Sequence, residues 1–312
     1  AGDWFQYDGE LEKIPTDEWC NEKDCTPVVV SPNRTVQGIF TIKNRKLEEF
    51  PIDAVFPILH GKNGEDGTIQ GLFELAGIPI VGCGVLSSAL CMDKDRAHKL
   101  VQSAGICVPK SFVIHKGMDL ELVFMQAEQI GYPLFVKPIG AGSSYGITKV
   151  TKQTQLPAAL KLAFSYDNKV IVEEGISGFE VGCAILEDKD FILGEVDEIQ
   201  LEKGFFNFTE KYTLKTSSIH VPARISPEKA AEVKKTAKKI YQTLGCSGFA
   251  RVDMFLDDSG RIVFNEVNTI PGFTTHSRFP NMLKAAHISF EQIISIAISR
   301  ALSEASQNGD NA

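Results

Sequence analysis

The chain has 312 residues, 43% hydrophobic and 23% charged, enough for one large domain or two to three modest ones, either of which buries a substantial core. A formal net charge of −8 argues against a dominant nucleic-acid surface. With no run of 18 apolar residues and no charged-then-apolar leader, the expectation is a cytoplasmic protein, neither secreted nor membrane-spanning.

The chain opens at AGDWFQY without Met, and WFQY already has the pattern of a strand interior, so a preceding segment is expected. Its seven cysteines (20, 25, 83, 91, 107, 183 and 246) are scattered, with no CxxC pair, and are read as reduced thiols. PIDAVFPILH (51–60) is a short apolar run suited to a buried parallel strand. After the turn GKNGEDG, a helix over Thr68–Ala76 stopped by Gly77 and a second strand at IPIVG complete a βαβ unit. A further helix is expected over Ser87–Ala104, capped by Ser87 and ended by Gly105.

Residues 107–174 read as a smaller α+β lobe. Its strands are VPKSFVIH, YPLFVKPI, ITKVT and KVIVEE, with helices near 119–130 and 155–164. Strands dominate from 175 to Ser226, where Ser-Pro opens an amphipathic helix that presents Val233, Ala237, Ile240, Tyr241 and Leu244 on one face. SGFARVDMFL and RIVFNEVN flank DDSG as a hairpin. A last helix is expected over 289–304, followed by a disordered polar tail.

The hairpin is chemically the most informative element. Alternation along a strand puts Arg251 with Asp253, and Glu266 with Asn268. Pairing Leu256 with Arg261 sets Asp253 opposite Phe264, so Asp253 and Glu266 become diagonal neighbours able to share a cation. Oxygen-only ligands of this kind suit Mg²⁺. Phe249, Ile262 and Phe264 suggest a lined pocket; the competing reading is a solvated polar face, which a slipped register would produce.

Lys137 stands late in an apolar strand, ahead of GAGSSYG (140–146), whose small residues let backbone N–H groups approach phosphate. This is no Walker A loop, since it lacks GK[ST] and leads into a strand. Lys94, early in its helix, is a second candidate phosphate contact or else an ordinary surface lysine. VIVEEGISGFE offers carboxylates on either side of a turn, suited to an adenine amino group and ribose hydroxyls or simply solvated.

HGKNGEDG, MDKDRAHK, VKP, GSSYGI, VEEGISGFE, EKY, RVDMF and NEVNTIPGFTTHSRFP stand in one order. Together they resemble the D-alanine–D-alanine ligase family of the ATP-grasp fold, nearest to its vancomycin-resistance D-alanine–D-serine ligases of the VanG type, from residue 3 to about 300. The resemblance implies an α/β protein with α+β lobes. A Rossmann-like preATP-grasp domain would span 1–82, a central lobe 83–174, and a C-terminal ATP-grasp domain 175–312. The family's opening strand, glycine-rich turn and Glu for the first D-alanine's amine have no counterpart here.

The implied roles fall residue by residue. Lys94 and Lys137 would contact ATP phosphates, under a loop carrying Ser143 and Ser144. Glu173, with the backbone at Glu174 and Ile176, would contact adenine, and Glu180 the ribose. Asp253, Glu266 and Asn268 would hold two Mg²⁺ ions, with Mn²⁺ as an alternative. Arg251 and the Gly272 N–H would stabilise the oxyanion of the tetrahedral intermediate, and Ser277 would bind the acceptor's carboxylate. Lys211 and Tyr212 would sit on a covering loop, opposite His60 and Glu65 of the N-terminal domain. Tyr212 fits D-alanine- and D-serine-adding members, and Asp197, Phe206 and Arg278 fit a D-serine pocket. There a polar Asp197–Arg278 pair would orient the serine hydroxyl or, alternatively, form a salt bridge beside an alanine pocket. The expectation is therefore a ligase using ATP, D-alanine and D-serine, usually a homodimer in this family. The alternatives are an ordinary D-alanine–D-alanine ligase and a nucleotide-binding protein without ligase turnover.

Overall fold

The computed structural model describes residues 2–21, 23–140, 142, 145–201 and 217–309. It opens with an antiparallel meander of β1 (Phe5–Tyr7), β2 (Cys25–Val30), β3 (Gly38–Lys43) and β4 (Lys46–Pro51), in that order. Asn44 and Arg45, at φ 51° and 61°, form the two-residue turn between β3 and β4, which matches the twist of a hairpin. Helix α1 (Thr68–Ala76) ends at Gly77 in the left-handed region (φ 70°).

The expected parallel strands on either side of α1 reduce to one bridge, Val55 to Ile80. Val55 N–H donates to the Pro79 carbonyl and Val81 N–H to the Val55 carbonyl, both at 2.8 Å. Pro51, Pro57 and Pro79 carry no N–H, so the ladder cannot lengthen through them.

The single helix expected over 87–104 is two, α2 (Val85–Met92) and α3 (Lys94–Ser103). They break at Asp93, whose extended backbone and side chain, accepting from Arg96 N–H at 3.0 Å, make it the N-cap of α3. Lys94 thereby becomes the first residue of a helix.

The small lobe is a sheet of order β5-β8-β6-β7 built from β5 (Ser111–His115), β6 (Leu134–Pro138), β7 (Thr148–Val150) and β8 (Lys169–Glu174). Helices α4 (Leu120–Ile130) and α5 (Leu156–Ala163) cover it through Val123, Ala127, Leu156 and Leu160, which pack on Leu134, Val136, Val170 and Val172.

The large sheet comprises β9 (Phe179–Glu187), β10 (Phe191–Leu193), β11 (Asp197–Leu201), β12 (Ser217–His220), β13 (Phe249–Leu256) and β14 (Ile262–Asn268). Its order is β12-β11-β9-β13-β14, with β10 on β9. Alternation splits each strand between two cores. Val181, Cys183, Ile185, Val252 and Met254 meet α6 (Pro227–Thr243), while Ala184, Leu186 and Phe249 meet α7 (Arg278–Ala285) and α8 (Phe290–Gly309).

Cys83, Cys91, Ala97, Val101 and Ile106 also join the α6-side core, so α2 and α3 pack with the large sheet, although they fall within the expected 83–174 lobe. Helix α7 was not foreseen from the sequence. Helix α8 continues to Gly309, through most of the stretch expected to be a disordered tail; the last three residues lie outside those described. All seven cysteines are free thiols. Among the described residues no helix is long and apolar enough to cross a membrane.

Candidate active site

The face of the large sheet that meets α7 collects the charged residues. Arg251 and Asp253 share the parity of Phe249 along β13, so they leave the sheet on the α7 side. On β14 the register differs from the expected one. Leu256 pairs with Ile262, and a bulge at Asp253/Met254 sets Asp253 directly opposite Glu266 and Arg251 opposite Asn268. The extra residue is Asn265, since Met254 pairs with Phe264. Asp253 and Glu266 are thus cross-strand partners and not diagonal neighbours. Ile262 and Phe264 point to the other face, into the α6-side core, and line neither of the two cavities described below.

Asp253 is held from three sides. Arg251 reaches it through Nε (2.8 Å) and Nη2 (2.7 Å), Asn268 Nδ2 donates to Oδ2 at 2.8 Å, and Arg278 Nη1 lies 3.4 Å from Oδ1. Arg278, the first residue of α7, also grips Asp197 through Nε (2.6 Å) and Nη2 (2.8 Å), and donates to Glu180 at 2.7 Å. Burial works against both guanidinium charges, but the adjacent carboxylates overcome it and shift Arg251 and Arg278 upward.

Asp197 is 0% exposed and lines neither cavity described below; of the expected Asp197–Arg278 pair, Arg278 is the member that lines a cavity. Glu180 is likewise paired with Arg278 here, while lining the first of the two cavities described next.

Two cavities flank this cluster. One, of about 400 Å³, lies between the small and large sheets and is lined by Lys137, Glu173, Glu174, Ile176, Glu180 and Phe135 among others. The other, of about 520 Å³, is lined by His60, Glu65, Arg251, Gly272, Ser277 and Arg278 among others. Lys94 and Glu266 border both, 3.6 Å apart, and so mark where the cavities meet. A two-part cleft joined at a lysine and a carboxylate suits a long anionic substrate in one part and small reactants in the other.

In the first cavity Lys137 Nζ donates to Glu173 Oε2 at 2.5 Å. Burial alone would raise the Glu173 carboxyl, yet Lys137 and then His98 bring it below its ordinary value. Glu174 accepts from Lys110 N–H at 2.9 Å, tying β8 to the start of β5.

In the second cavity the Ser277 hydroxyl accepts from Thr274 N–H at 3.0 Å. A Cβ on Gly272 would stand 2.6 Å from that hydroxyl oxygen, so only glycine lets the Pro271–Gly272 backbone lie against Ser277. His60 Nδ1 is 3.0 Å from the Ile270 carbonyl. Glu65 accepts from Gly61 N–H at 2.6 Å, and burial pushes its carboxyl up despite that bond. His60 and Glu65 thus line the same cavity as Arg251 and Arg278.

Ser143, Ser144, Phe206, Lys211 and Tyr212 lie outside the described residues. Sequence reasoning missed Gly182. It pairs with Asp197 and Asp253 on either side, and a Cβ there would stand 2.6 Å from Arg278 Nη2 and 2.7 Å from Asp197 Oδ1. The only sequence signal was a glycine within an apolar strand, which marks close approach of another group without saying which.

Among the described residues no group of three or more His, Cys, Asp or Glu side chains is placed to hold a metal. The hairpin set is two carboxylates and one amide. Its fit to Mg²⁺ rests on the oxygen-only donors, the direct Asp253–Glu266 pairing and the position of Glu266 at the cavity junction.

Comparison with known proteins places the chain as follows. The family model described as "D-ala D-ala ligase N-terminus" matches residues 1–83, and that described as "D-ala D-ala ligase C-terminus" matches residues 100–299. The vancomycin B-type resistance protein VanB of Enterococcus faecalis is 48% identical, over 94% of this chain and 85% of its own length. A D-alanine–D-alanine ligase of Thermoanaerobacter pseudethanolicus is 42% identical, over 96% of this chain and 84% of its own. Among solved structures, the VanG D-Ala:D-Ser ligase from Enterococcus faecalis superposes with a TM-score of 0.88 at 57% identity, covering 96% of this chain and 87% of that one.

Proposed function

The chain belongs to the D-alanine–D-alanine ligase family, ATP-dependent ligases that join D-alanine to a second D-residue, and within it we propose that the second substrate is D-serine. The observation that carries the choice is Arg278. It is 7% exposed, lines the acceptor-side cavity next to Ser277, and is held rigidly by Asp197 and Glu180. A fixed guanidinium with five N–H donors can spare one for a hydroxyl oxygen, and an acceptor without that oxygen forgoes the bond. The 57% identity to a D-Ala:D-Ser ligase supports the same reading.

In this reading ATP occupies the cavity between the sheets, with its adenine near Glu173, Glu174 and Ile176 and its ribose near Glu180. Lys94 and Lys137 hold the phosphates where the two cavities meet. Asp253, Glu266 and Asn268 would hold Mg²⁺, whose contribution is to neutralise phosphate charge. The carboxylate of D-alanine takes the γ-phosphoryl group to give an acyl-phosphate; the amine of D-serine then attacks that carbonyl and phosphate leaves. Arg251 and the Gly272 N–H face the oxygen that gains charge in the attack, and their worth grows in a buried site. Ser277 orients the acceptor's carboxylate. Enclosure of the cleft keeps water from the acyl-phosphate.

Phosphate release from ATP is the test. With D-alanine present, adding D-serine is expected to raise the rate severalfold, and an unchanged rate overturns the D-serine assignment.

A further inference from the structure

His98 approaches the nucleotide cavity from behind. It lies on α3, is 4% exposed, and sets its ring edge-on to Phe264. Nε2 is 3.2 Å from the backbone oxygen of Asn265. A carbonyl only accepts, so Nε2 carries the proton of the neutral ring and Nδ1 is bare. That bare nitrogen faces Glu173 Oε1 at 3.9 Å, and both atoms are buried without a hydrogen-bond partner. Two acceptors confronting one another in the interior are one proton short of a bond.

The other oxygen of Glu173 is held by Lys137. The charged groups around the imidazole are Glu173 on β8, Lys137 on β6 and Lys94 on its own helix. Burial pushes the imidazole down, against the pull of Glu173, so it is neutral in this arrangement. Lys137, however, has two anions to serve. When its ammonium turns to the phosphates of ATP, a carboxylate 2% exposed loses its countercharge, and an unpaired buried carboxylate is costly.

We infer that His98 then takes up a proton on Nδ1 and holds Glu173 in position, so that ATP binding is coupled to protonation of His98. His98 is on this account a positioning residue for the carboxylate at the adenine end of the site. The inference rests on the reading above that Lys137 contacts phosphate, and is independent of which acceptor is used. Its sign follows from the linkage: the imidazole pKa is higher with ATP bound than without, so binding is tightest at low pH and weakens as pH rises through the bound-state value.

Titration calorimetry of ATP with Mg²⁺ tests it, run at pH 7 in two buffers of different ionisation enthalpy. Net proton uptake by the wild-type chain is expected, with none for adenosine, which lacks phosphates. His98→Asn keeps an amide donor where Nδ1 stands; it should bind ATP within about threefold of wild type but without uptake. His98→Phe keeps the ring's packing and loses the donor, and should weaken binding about tenfold or more. Uptake that persists in His98→Asn, equal uptake with adenosine, or an Asn variant as weak as the Phe variant overturns the inference. Thermal unfolding of both variants separates lost binding from lost fold. Dipeptide formation is followed separately, so a failed D-serine assignment leaves this result standing.

Discussion

Asp197 has no exposed surface, and both its oxygens face Arg278. Removing the guanidinium therefore does two things at once. Arg278→Leu should move acceptor preference toward D-alanine, and should also destabilise the chain by about 3–5 kcal/mol, because a buried carboxylate is left without a partner. Adding Asp197→Asn should recover part of that stability without restoring the preference for D-serine. Competition between the two acceptors reads the first effect and urea unfolding reads the second. If Arg278→Leu keeps the wild-type preference, Arg278 only builds the site. Glu173 makes a prediction of another kind. Its folded-state carboxyl titrates below the ordinary value, because Lys137 and His98 outweigh burial. The resulting stability is present above the usual carboxylate range and is lost as pH falls through the lowered value. Unfolding midpoints between neutral and acid pH should therefore fall less steeply for Glu173→Gln, which starts from a lower midpoint at pH 7 because Lys137 has lost its partner.

At the scale of elements, the break between α2 and α3 aims Lys94 at the junction of the two cavities. Asp93 makes that break as an N-cap, so Asp93→Ala should cost about 1 kcal/mol of stability and raise the KM for ATP more than it lowers kcat. Equal loss in both parameters would contradict a positioning effect on Lys94. Caps of this kind are local and were readable in principle: MDKDR contains an Asp three residues before its Arg, yet the apolar period from 87 to 104 obscured it. The amphipathic helix after Ser226 was legible because its cap, its proline and its apolar face agree. The hairpin strands were legible too, and so was the shared face of Arg251, Asp253, Glu266 and Asn268. Their register was not. A single bulged residue, Asn265, changes which side chains are opposite without altering the hydrophobic pattern that reveals a strand. The β2–β4 meander escaped notice for a similar reason, since its tight turn is Asn44-Arg45 and not the Asn-Gly that usually signals one.

Across the whole molecule, chain segments far apart in sequence make one cleft. Gly82 and Gly248 touch where the N-terminal region meets β13: a Cβ on Gly248 would stand 2.9 Å from the Gly82 Cα. His60 and Glu65 then face the loop after β14, and the small sheet closes over the large one at Lys137, Glu173 and Glu180. Ordered motifs disclosed the parts of this cleft, but only long-range packing discloses that Arg278 joins Glu180, Asp197 and Asp253 into one buried network. That network is the basis for assigning the acceptor. The most direct measurement is the identity of the dipeptide formed from ATP and an equimolar mixture of D-alanine and D-serine, read by mass spectrometry. The account predicts that D-alanyl-D-serine predominates; D-alanyl-D-alanine as the sole product would contradict it.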